Sequence, residues 1–506
     1  MSVKVLRSQL ALWAVLLLLS IAVQFAIPMI GDEAYFVSWG GTPAVGYYDH
    51  PPLTGWISSV IWQVEGLLGI SPHGVLHRIS ILLVSIATLF WLRGYFAARH
   101  PDIRFGSLAT GFAALPASLI MFNVFMSDTL LTFFILGFLI ATERVFTSQT
   151  MRWSPVVAAG VFFGMALSTK YSAGIFFLGL VLYLLTSSAG RRFLFGRFMV
   201  ISVIAGIPFV LNLIWNYYNC SVNLAFNFAF RDIEAGVIGL AYFVGSLVFI
   251  LGPTVFFIAK NLTFRPGFFG GVLLGNVVVI AAYSISRGYF GLNWGVPLLA
   301  IALLAVPEML KPAVIVRMAK WNFVYGLVIM LPFLALFGSV QGRVLALESF
   351  VSAEEAYPVN LDLDLVDGSL VASLRPYSDG RTVAAASYGL RASLENHGID
   401  ATTVFNTAVF GRNQDVFTDF RSLDGQDMLY IPYTRSDGLT LTEKLFEDVE
   451  ILTLQGNRQE HTVYLGRGFD YAVFREEMIL PVLTKFYDKS PFPAGRCFMD
   501  KYRVFD

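Results

Sequence analysis

Apolar runs of about 20 residues, each bounded by charge or proline, recur along the first two thirds of the chain, and each is long enough to cross a bilayer as a helix. We read about eleven of them, at 9–30, 77–98, 106–122, 128–146, 154–170, 172–188, 198–217, 237–259, 267–286, 293–309 and 321–341. The 506 residues are 56% hydrophobic and 14% charged, where a soluble domain carries about 25% charge. The chain therefore reads as a polytopic α-helical membrane protein.

The ends of the runs give an orientation. Lys4 and Arg7, then Arg93, Arg99 and Arg104, then Arg144 and Arg152, then Arg191, Arg192 and Arg197, then Lys260 and Arg265, then Lys311, Arg317 and Lys320 all fall on one side. Such a sustained bias marks the inner face. The first run follows two positive charges but is long for a signal-peptide core and lacks a small-x-small cleavage site, so it reads as a retained helix. The opposite face receives the 31–76 loop, the 123–128 turn, the Lys170-Tyr171 turn, the 218–236 loop and the 287–293 turn. An odd number of crossings also places the remainder of the chain outside.

Near residue 342 the character changes. A membrane domain over 1–343 gives way to a charged segment over 344–506 with no spanning run. Roughly 160 residues can bury a core of their own. Thr382–Ala386 and Met428–Pro432 read as buried strands, and Tyr388–Asn396 and Leu441–Glu447 as helices, so the segment is expected to be a small α/β domain. Net charge is zero, which argues against a nucleic-acid partner. Two cysteines, Cys220 and Cys497, exclude a disulfide framework and a cysteine-rich metal site. A bond between them would need both to face an oxidising compartment, and nothing in their spacing calls for it.

The chemistry concentrates in Gly31–Leu53, directly after the first run. It holds Asp32, Glu33, Asp49, His50, Tyr35, Tyr47 and Tyr48, and closes on a double proline that fixes an extended geometry. Ionisable groups beside a membrane are expensive and usually functional. Beyond it, Leu53–Leu68 carries an apolar stripe at helical spacing, with Trp56 and Trp62 suited to the headgroup level. Asp128, Lys170, Tyr171, Arg231, Asn293 and Trp294 fall on the same outer face. Each has a plainer role open to it: helix capping for Asp128, snorkelling for Lys170, headgroup anchoring for Arg231 and an interfacial belt for Trp294. Taken together, carboxylates flanked by cations suit a reaction with a phosphate leaving group. Asp32, Asp49, Asp128 and His50 could also supply oxygen and nitrogen ligands to a divalent metal, although the cations can do the same work without one.

The motifs Asp32-Glu33-Ala34-Tyr35, Gly46-Tyr47-Tyr48-Asp49-His50-Pro51-Pro52-Leu53, His77-Arg78, Ser127-Asp128, Ser168-Thr169-Lys170-Tyr171 and Asn293-Trp294 resemble those of bacterial membrane glycosyltransferases of the GT-C superfamily. The likeness covers about the first 300 residues and points to the branch of protein O-mannosyltransferases and lipid A aminoarabinose transferases. It implies a polyprenyl-phosphate-linked sugar donor and a lipid, glycan or protein acceptor. It also implies a site on the outer face of the bacterial inner membrane, with the C-terminal domain periplasmic. Carried over, Asp32 matches the catalytic aspartate, with Glu33 its neighbour and competitor, and Asp128 the second acid. Lys170, Arg78 and Arg231 match cations that hold the donor phosphate. Tyr47, Tyr48, Asp49, His50, Tyr171, Asn293 and Trp294 match the substrate-binding surroundings; by their ligand chemistry, not by the resemblance, Asp32, Asp128 and His50 are the residues expected to hold a metal. Two features depart from the pattern: there are no appended β-trefoil repeats, and an aminoarabinose transferase is expected to have more spans. The rival reading is a transporter or flippase of lipid-linked sugars, which should show inverted repeats around midplane polar groups. The ionisable residues lie at one face instead.

The orientation makes a prediction. A reporter fused after residue 345 will register outside the cytoplasm, and a cytoplasmic signal there would reverse the assignment.

Overall fold

The structure is a computed structural model that describes residues 3–150, 152–230, 235–261, 267–339, 342, 352–403, 410–433 and 438–504. It divides into two compact units, one made of Met1–Ala26, Arg78–Leu211 and Asp232–Gly338, the other of Ile27–His77, Asn212–Arg231 and Ser339–Asp506.

The first unit is helical, as chains in hydrocarbon must be if their backbone groups are to bond internally. All the runs read as spans are helical over most of their length, but not all form one long helix. Among the described residues six helices are long and apolar enough to cross a membrane, or eight if each of two bent pairs counts as one span. The expected count of about eleven therefore exceeds the helices that cross by length alone. Two further apolar helices, Trp153–Thr169 and Ala173–Leu185, are short. The 106–122 run is divided into Phe105–Ala113 and Pro116–Met121 because Leu115, which precedes the proline, is extended (φ −61°, ψ 139°). The 237–259 run breaks at Gly252, whose positive φ of 52° suits only glycine without cost, and at Pro253.

Helices pack closely where side chains are small, as in membrane interiors generally. A Cβ on Gly275 would sit 2.2 Å from the carbonyl oxygen of Gly179, so neither backbone could approach the other with a larger residue there. The core runs through Leu139, Phe163, Leu180, Val272 and Val306, all buried. By contrast Leu83, Phe90, Val203 and Val328 are exposed, as a surface facing lipid requires.

The second unit is built on a five-stranded sheet, β1 (Thr382–Ala385), β2 (Ala401–Thr403), β3 (Met428–Ile431), β4 (Phe446–Gln455) and β5 (Glu460–Phe469), in the order β2-β1-β3-β5-β4. The first three are mutually parallel and β5 runs antiparallel to both β3 and β4. The central strands are buried on both faces, which explains their unbroken apolar sequences. Val383, Ala385, Leu429 and Ile431 face a core with Leu361, Leu370, Leu390 and Leu394. Ala384, Met428 and Tyr430 face the opposite one, which takes in Tyr48, Val222 and Phe226. The helix over Tyr388–Asn396 forms as expected, capped by Ser387, whose side chain accepts from the Leu390 amide.

Leu53–Leu67 is helical, but its small and polar residues face inward: Thr54, Gly55, Ser58, Ser59 and Glu65 are buried while Trp56, Val60, Val64 and Leu67 are exposed. The apolar stripe is therefore an outward, membrane-seeking one. Burial pushes the Glu65 carboxyl up, but His77 and the Gly74 and Leu76 amides more than offset it and hold it below the ordinary carboxylate range. Ser58 Oγ donates to the Val37 carbonyl and lies 2.9 Å from His77 Nε2, fixing this helix to the segments on either side of it.

One expectation is corrected. Cys220 and Cys497 are bonded to each other across 277 residues. Spacing carried no hint because the partners are brought together by tertiary folding: the Cys220 amide donates to the Arg496 carbonyl at 2.9 Å and Ser221 Oγ to the Pro493 carbonyl at 2.6 Å. We expect Cys497→Ser to lower the stability of the folded protein by about 2–4 kcal/mol, read as a lower thermal midpoint in detergent. An unchanged midpoint would show that the bond contributes nothing.

Candidate functional site

In the second unit the helix over Gly31–Ser38 starts directly at the acidic pair, and its first turn carries Asp32 and Glu33, a position where negative charge is favoured. The two neighbours diverge around the helix. The Glu33 side chain turns into the protein and is buried, whereas the Asp32 side chain is 48% exposed. Asp32 Oδ1 accepts from the Tyr388 hydroxyl at 2.9 Å and lies 3.7 Å from Arg412 Nη1. Among the described residues no hydrogen bond reaches Asp32 Oδ2.

Arg412 is the hub of this cluster. Its Nη1 donates to Asp49 Oδ2 at 3.1 Å, and its guanidinium lies 3.5 Å over the Tyr388 ring. Asp49 is buried and also accepts from the Tyr35 hydroxyl at 3.4 Å, with His50 Nδ1 at 3.2 Å. Burial alone would lower the Arg412 guanidinium's affinity for its proton, but Asp49 foremost raises it above the ordinary value. Burial likewise drives the Tyr388 hydroxyl up, so it remains a hydrogen-bond donor to Asp32. Arg412 holds a backbone conformation rare for a residue with a Cβ, φ 60° and ψ −124°.

The loop that carries the carboxylates is pinned from behind. Asn223 Nδ2 donates to the Tyr47 carbonyl and Asn227 Nδ2 to the Asp49 carbonyl, each at 2.8 Å, and the Tyr48 amide donates to Asn413 Oδ1 at 2.8 Å. Tyr47 stacks on Trp39 at 4.0 Å and both are buried. Tyr48 is buried too, its hydroxyl 3.1 Å from that of Tyr487, which in turn lies 3.0 Å from Asp415 Oδ2. Burial pushes the Asp415 carboxyl up to about 8. The two tyrosines read as substrate-binding thus sit in the core as described.

The first unit holds a second cluster. Asp128, in the first turn of Ser127–Thr147, is buried, and Lys170 Nζ donates to both of its oxygens at 2.8 Å. Asn293 Nδ2 adds a bond to Oδ2 at 3.0 Å. Lys170 ends the helix Trp153–Thr169 in an extended conformation, which turns its side chain to Asp128 rather than along the helix. Trp294 packs among aromatic rings, 5.8 Å from Tyr289 and 5.9 Å from Phe290, and the Tyr171 ring lies 6.0 Å from Phe209. Arg78 Nη1 donates to the Gln24 carbonyl at 2.7 Å, at the C-terminal end of the first helix, where a cation is favoured. Arg231 lies outside the described residues.

Asp128, Lys170 and Asn293, singled out separately in the sequence, thus form one bonded group, and Asp32, Asp49 and His50 belong to another. The sequence reading missed Arg412 and Tyr388. No motif marks them; Arg412 lies 363 residues from the aspartate it bridges, and only the fold pairs them. The metal set read from the sequence, Asp32, Asp128 and His50, gains no support, since among the described residues no three His, Cys, Asp or Glu side chains gather as metal ligands would.

Comparison with known proteins agrees with this architecture. The model of the dolichyl-phosphate-mannose-protein mannosyltransferase family matches residues 49–215. Lipid A galacturonosyltransferase RgtD from Rhizobium johnstonii is 28% identical over 257 residues, 49% of this chain and 50% of that protein. The chain thus matches about half the length of that curated relative. The crystal structure of ArnT from Cupriavidus metallidurans in the apo state is 15% identical, with a TM-score of 0.58 over 89% of this chain and 97% of that one. ArnT from the same organism bound to undecaprenyl phosphate gives 17% identity and a TM-score of 0.56, over 90% and 97% of the two chains. The resemblance read from the motifs is met by the family model over residues 49–215, and the fold is that of the ArnT structures.

Proposed function

We propose that the chain transfers a sugar from a polyprenyl-phosphate donor to a lipid acceptor of the lipid A class, on the outer face of the bacterial inner membrane, with the 344–506 segment periplasmic. The observation that carries this is Asp32: it is the half-exposed carboxylate at the start of the Gly31–Ser38 helix, oriented by Tyr388 on one oxygen and open on the other. The fold likeness to a protein bound to undecaprenyl phosphate supports the class of donor, and the likeness to a lipid A galacturonosyltransferase supports the class of acceptor. The bond between Cys220 and Cys497 supports an oxidising, extracytoplasmic side for the loops it joins.

The step is a displacement at the anomeric carbon. An acceptor hydroxyl oxygen forms the new bond while its proton passes to Asp32 Oδ2. The bond from the anomeric carbon to the phosphate oxygen breaks, and its electron pair leaves with the polyprenyl phosphate. A hydroxyl is far too weak an acid to ionise first, so the base must act as the bond forms. Arg412 compensates buried Asp49, and Tyr388 fixes the Asp32 carboxylate, so the exposed oxygen needs no reorganisation. Lys170 spends two of its three N–H donors on Asp128 and keeps one for the donor phosphate. The motif resemblance gives Arg78 and Arg231 the same role toward the donor phosphate, and His50, Tyr171, Asn293 and Trp294 a role in binding substrate.

We expect Asp32→Asn, which keeps the shape and removes the charge, to lower turnover by about 10²–10⁴-fold with the protein still folded. The assay is transfer of labelled sugar from polyprenyl phosphate to lipid A. Near-normal turnover in Asp32→Asn together with loss in Glu33→Gln would move the base to Glu33. A second test uses the buried pair. Lys170→Met alone should destabilise by about 3–5 kcal/mol, because Asp128 is left uncompensated. Adding Asp128→Asn should restore the thermal midpoint while turnover stays about 10²–10³-fold low. Recovery of turnover in the double variant would make Lys170 a purely structural cation.

A further inference from the structure

The first unit contains a cavity that no part of the proposed reaction uses. It occupies about 950 Å³, within the about 300–1,000 Å³ typical of sites for small molecules. It lies among the C-terminal ends of Val75–Arg99 and Ser127–Thr147 and the N-terminal end of Trp153–Thr169, and is lined by Arg99, Arg144, Arg152 and Glu143 together with apolar groups such as Trp91 and Phe162. These arginines belong to the basic side of the chain, opposite the side that the sequence gives to the carboxylates.

We propose that this cavity binds the headgroup of an anionic, hydroxyl-bearing phospholipid of phosphatidylglycerol chemistry, drawn from the basic-side leaflet. Three observations converge on it. The first is charge: three guanidiniums face one carboxylate. Arg99 is spent, since its Nη2 bonds to Glu143 Oε1 and to Thr147 Oγ1. Among the described residues neither Arg144 nor Arg152 has a carboxylate partner, so a positive surplus faces the space. The second is the helix end: Arg152 is the N-cap of Trp153–Thr169 and no side chain caps it, so the amides of Trp153 and Ser154, ahead of the donorless Pro155, are open to an anion. The third is Glu143, which is 3% exposed and whose Oε2 has no hydrogen-bond partner among the described residues.

An anion alone would leave that oxygen unsatisfied. A headgroup with a phosphate and a hydroxyl serves both ends: Arg144, Arg152 and the helix amides take the phosphate, and the hydroxyl donates to Glu143. The choice of a lipid over a soluble phosphate follows from the surroundings. Trp91, in the lining, is 42% exposed, and Trp153, between the lining residues Arg152 and Ser154 in sequence, is 62% exposed, as rings at a headgroup level are. The Val75–Arg99 helix that forms one wall is mostly unburied in the molecule, so acyl chains have a surface to lie on.

The test uses the purified, delipidated full chain in detergent, followed by thermal midpoint and by native mass spectrometry. Phosphatidylglycerol should raise the midpoint by several degrees and remain bound, as any ligand selective for the folded state does, and phosphatidylcholine should do neither. The Arg144→Gln/Arg152→Gln variant should lose retained phosphatidylglycerol by about fivefold or more, a change of about 1 kcal/mol. Arg144→Lys/Arg152→Lys, which keeps the charge, should recover most of it and report that the site still folds. Equal retention of phosphatidylglycerol and phosphatidylcholine, or equal retention by the glutamine variant, would overturn the proposal. So would stabilisation by glycerol phosphate equal to that by the lipid, since the occupant would then be soluble.

Discussion

Two carboxylates and one guanidinium set the terms for the second unit. Asp49 is buried, and a buried charge without a partner is far more expensive than the pair it belongs to. Arg412 supplies that partner from a residue 363 positions away, so the loop after the first helix cannot settle until the C-terminal segment has folded against it. The same guanidinium stacks on Tyr388, which holds Asp32. Removing Arg412 would therefore disturb three features together: the neutralisation of Asp49, the position of Tyr388 and the field at Asp32. The rare backbone conformation of Arg412 is consistent with a residue held in place by its surroundings rather than by its own preference.

The first unit obeys a simpler constraint. Its backbone must bond internally, and its helices approach where glycine and alanine allow it. Asp128, Lys170 and Asn293 show how a buried charge is held inside it: a carboxylate that would be intolerable alone accepts three hydrogen bonds. Saturation of this kind fixes geometry. It also means that the lysine's charge is already partly spent before any substrate arrives, which distinguishes it from a free snorkelling cation.

Much of this was legible in the sequence because it is local. The apolar runs, the strands at Thr382 and Met428 and the helix at Tyr388 are all set by composition and period over about ten residues. The Leu53–Leu67 helix was legible in its spacing, and its outward apolar face shows why Trp56 and Val60 are spared from the core. What stayed hidden is long-range. Strands β2, β4 and β5 gave no clear signal: β2 is three residues long, and β4 is largely exposed. Neither the Arg412 bridge nor the cysteine pairing leaves a trace in spacing. Breaks within helices were also missed, although Pro116 and the Gly252-Pro253 pair announce them once the rule for the residue before proline is applied. The tyrosines of the Gly46–Leu53 motif were read by their resemblance to a binding motif, whereas their burial follows from packing on Trp39 and beside Tyr487.

The link between Cys220 and Cys497 has a consequence for the order of assembly. A ribosome finishes Cys220, and its partner is the 277th residue made after it. Throughout that interval the segment that presents Asn223 and Asn227 to the Tyr47 and Asp49 carbonyls lacks its disulfide cross-link to the C-terminal part of the unit. The 31–76 loop is thus in the first part of the second unit to be synthesised and among the last to be locked. Biogenesis of this chain is accordingly sensitive to whatever happens to its far end: a stop codon a dozen residues early would leave every membrane helix intact and deprive the carboxylate loop of its fastening.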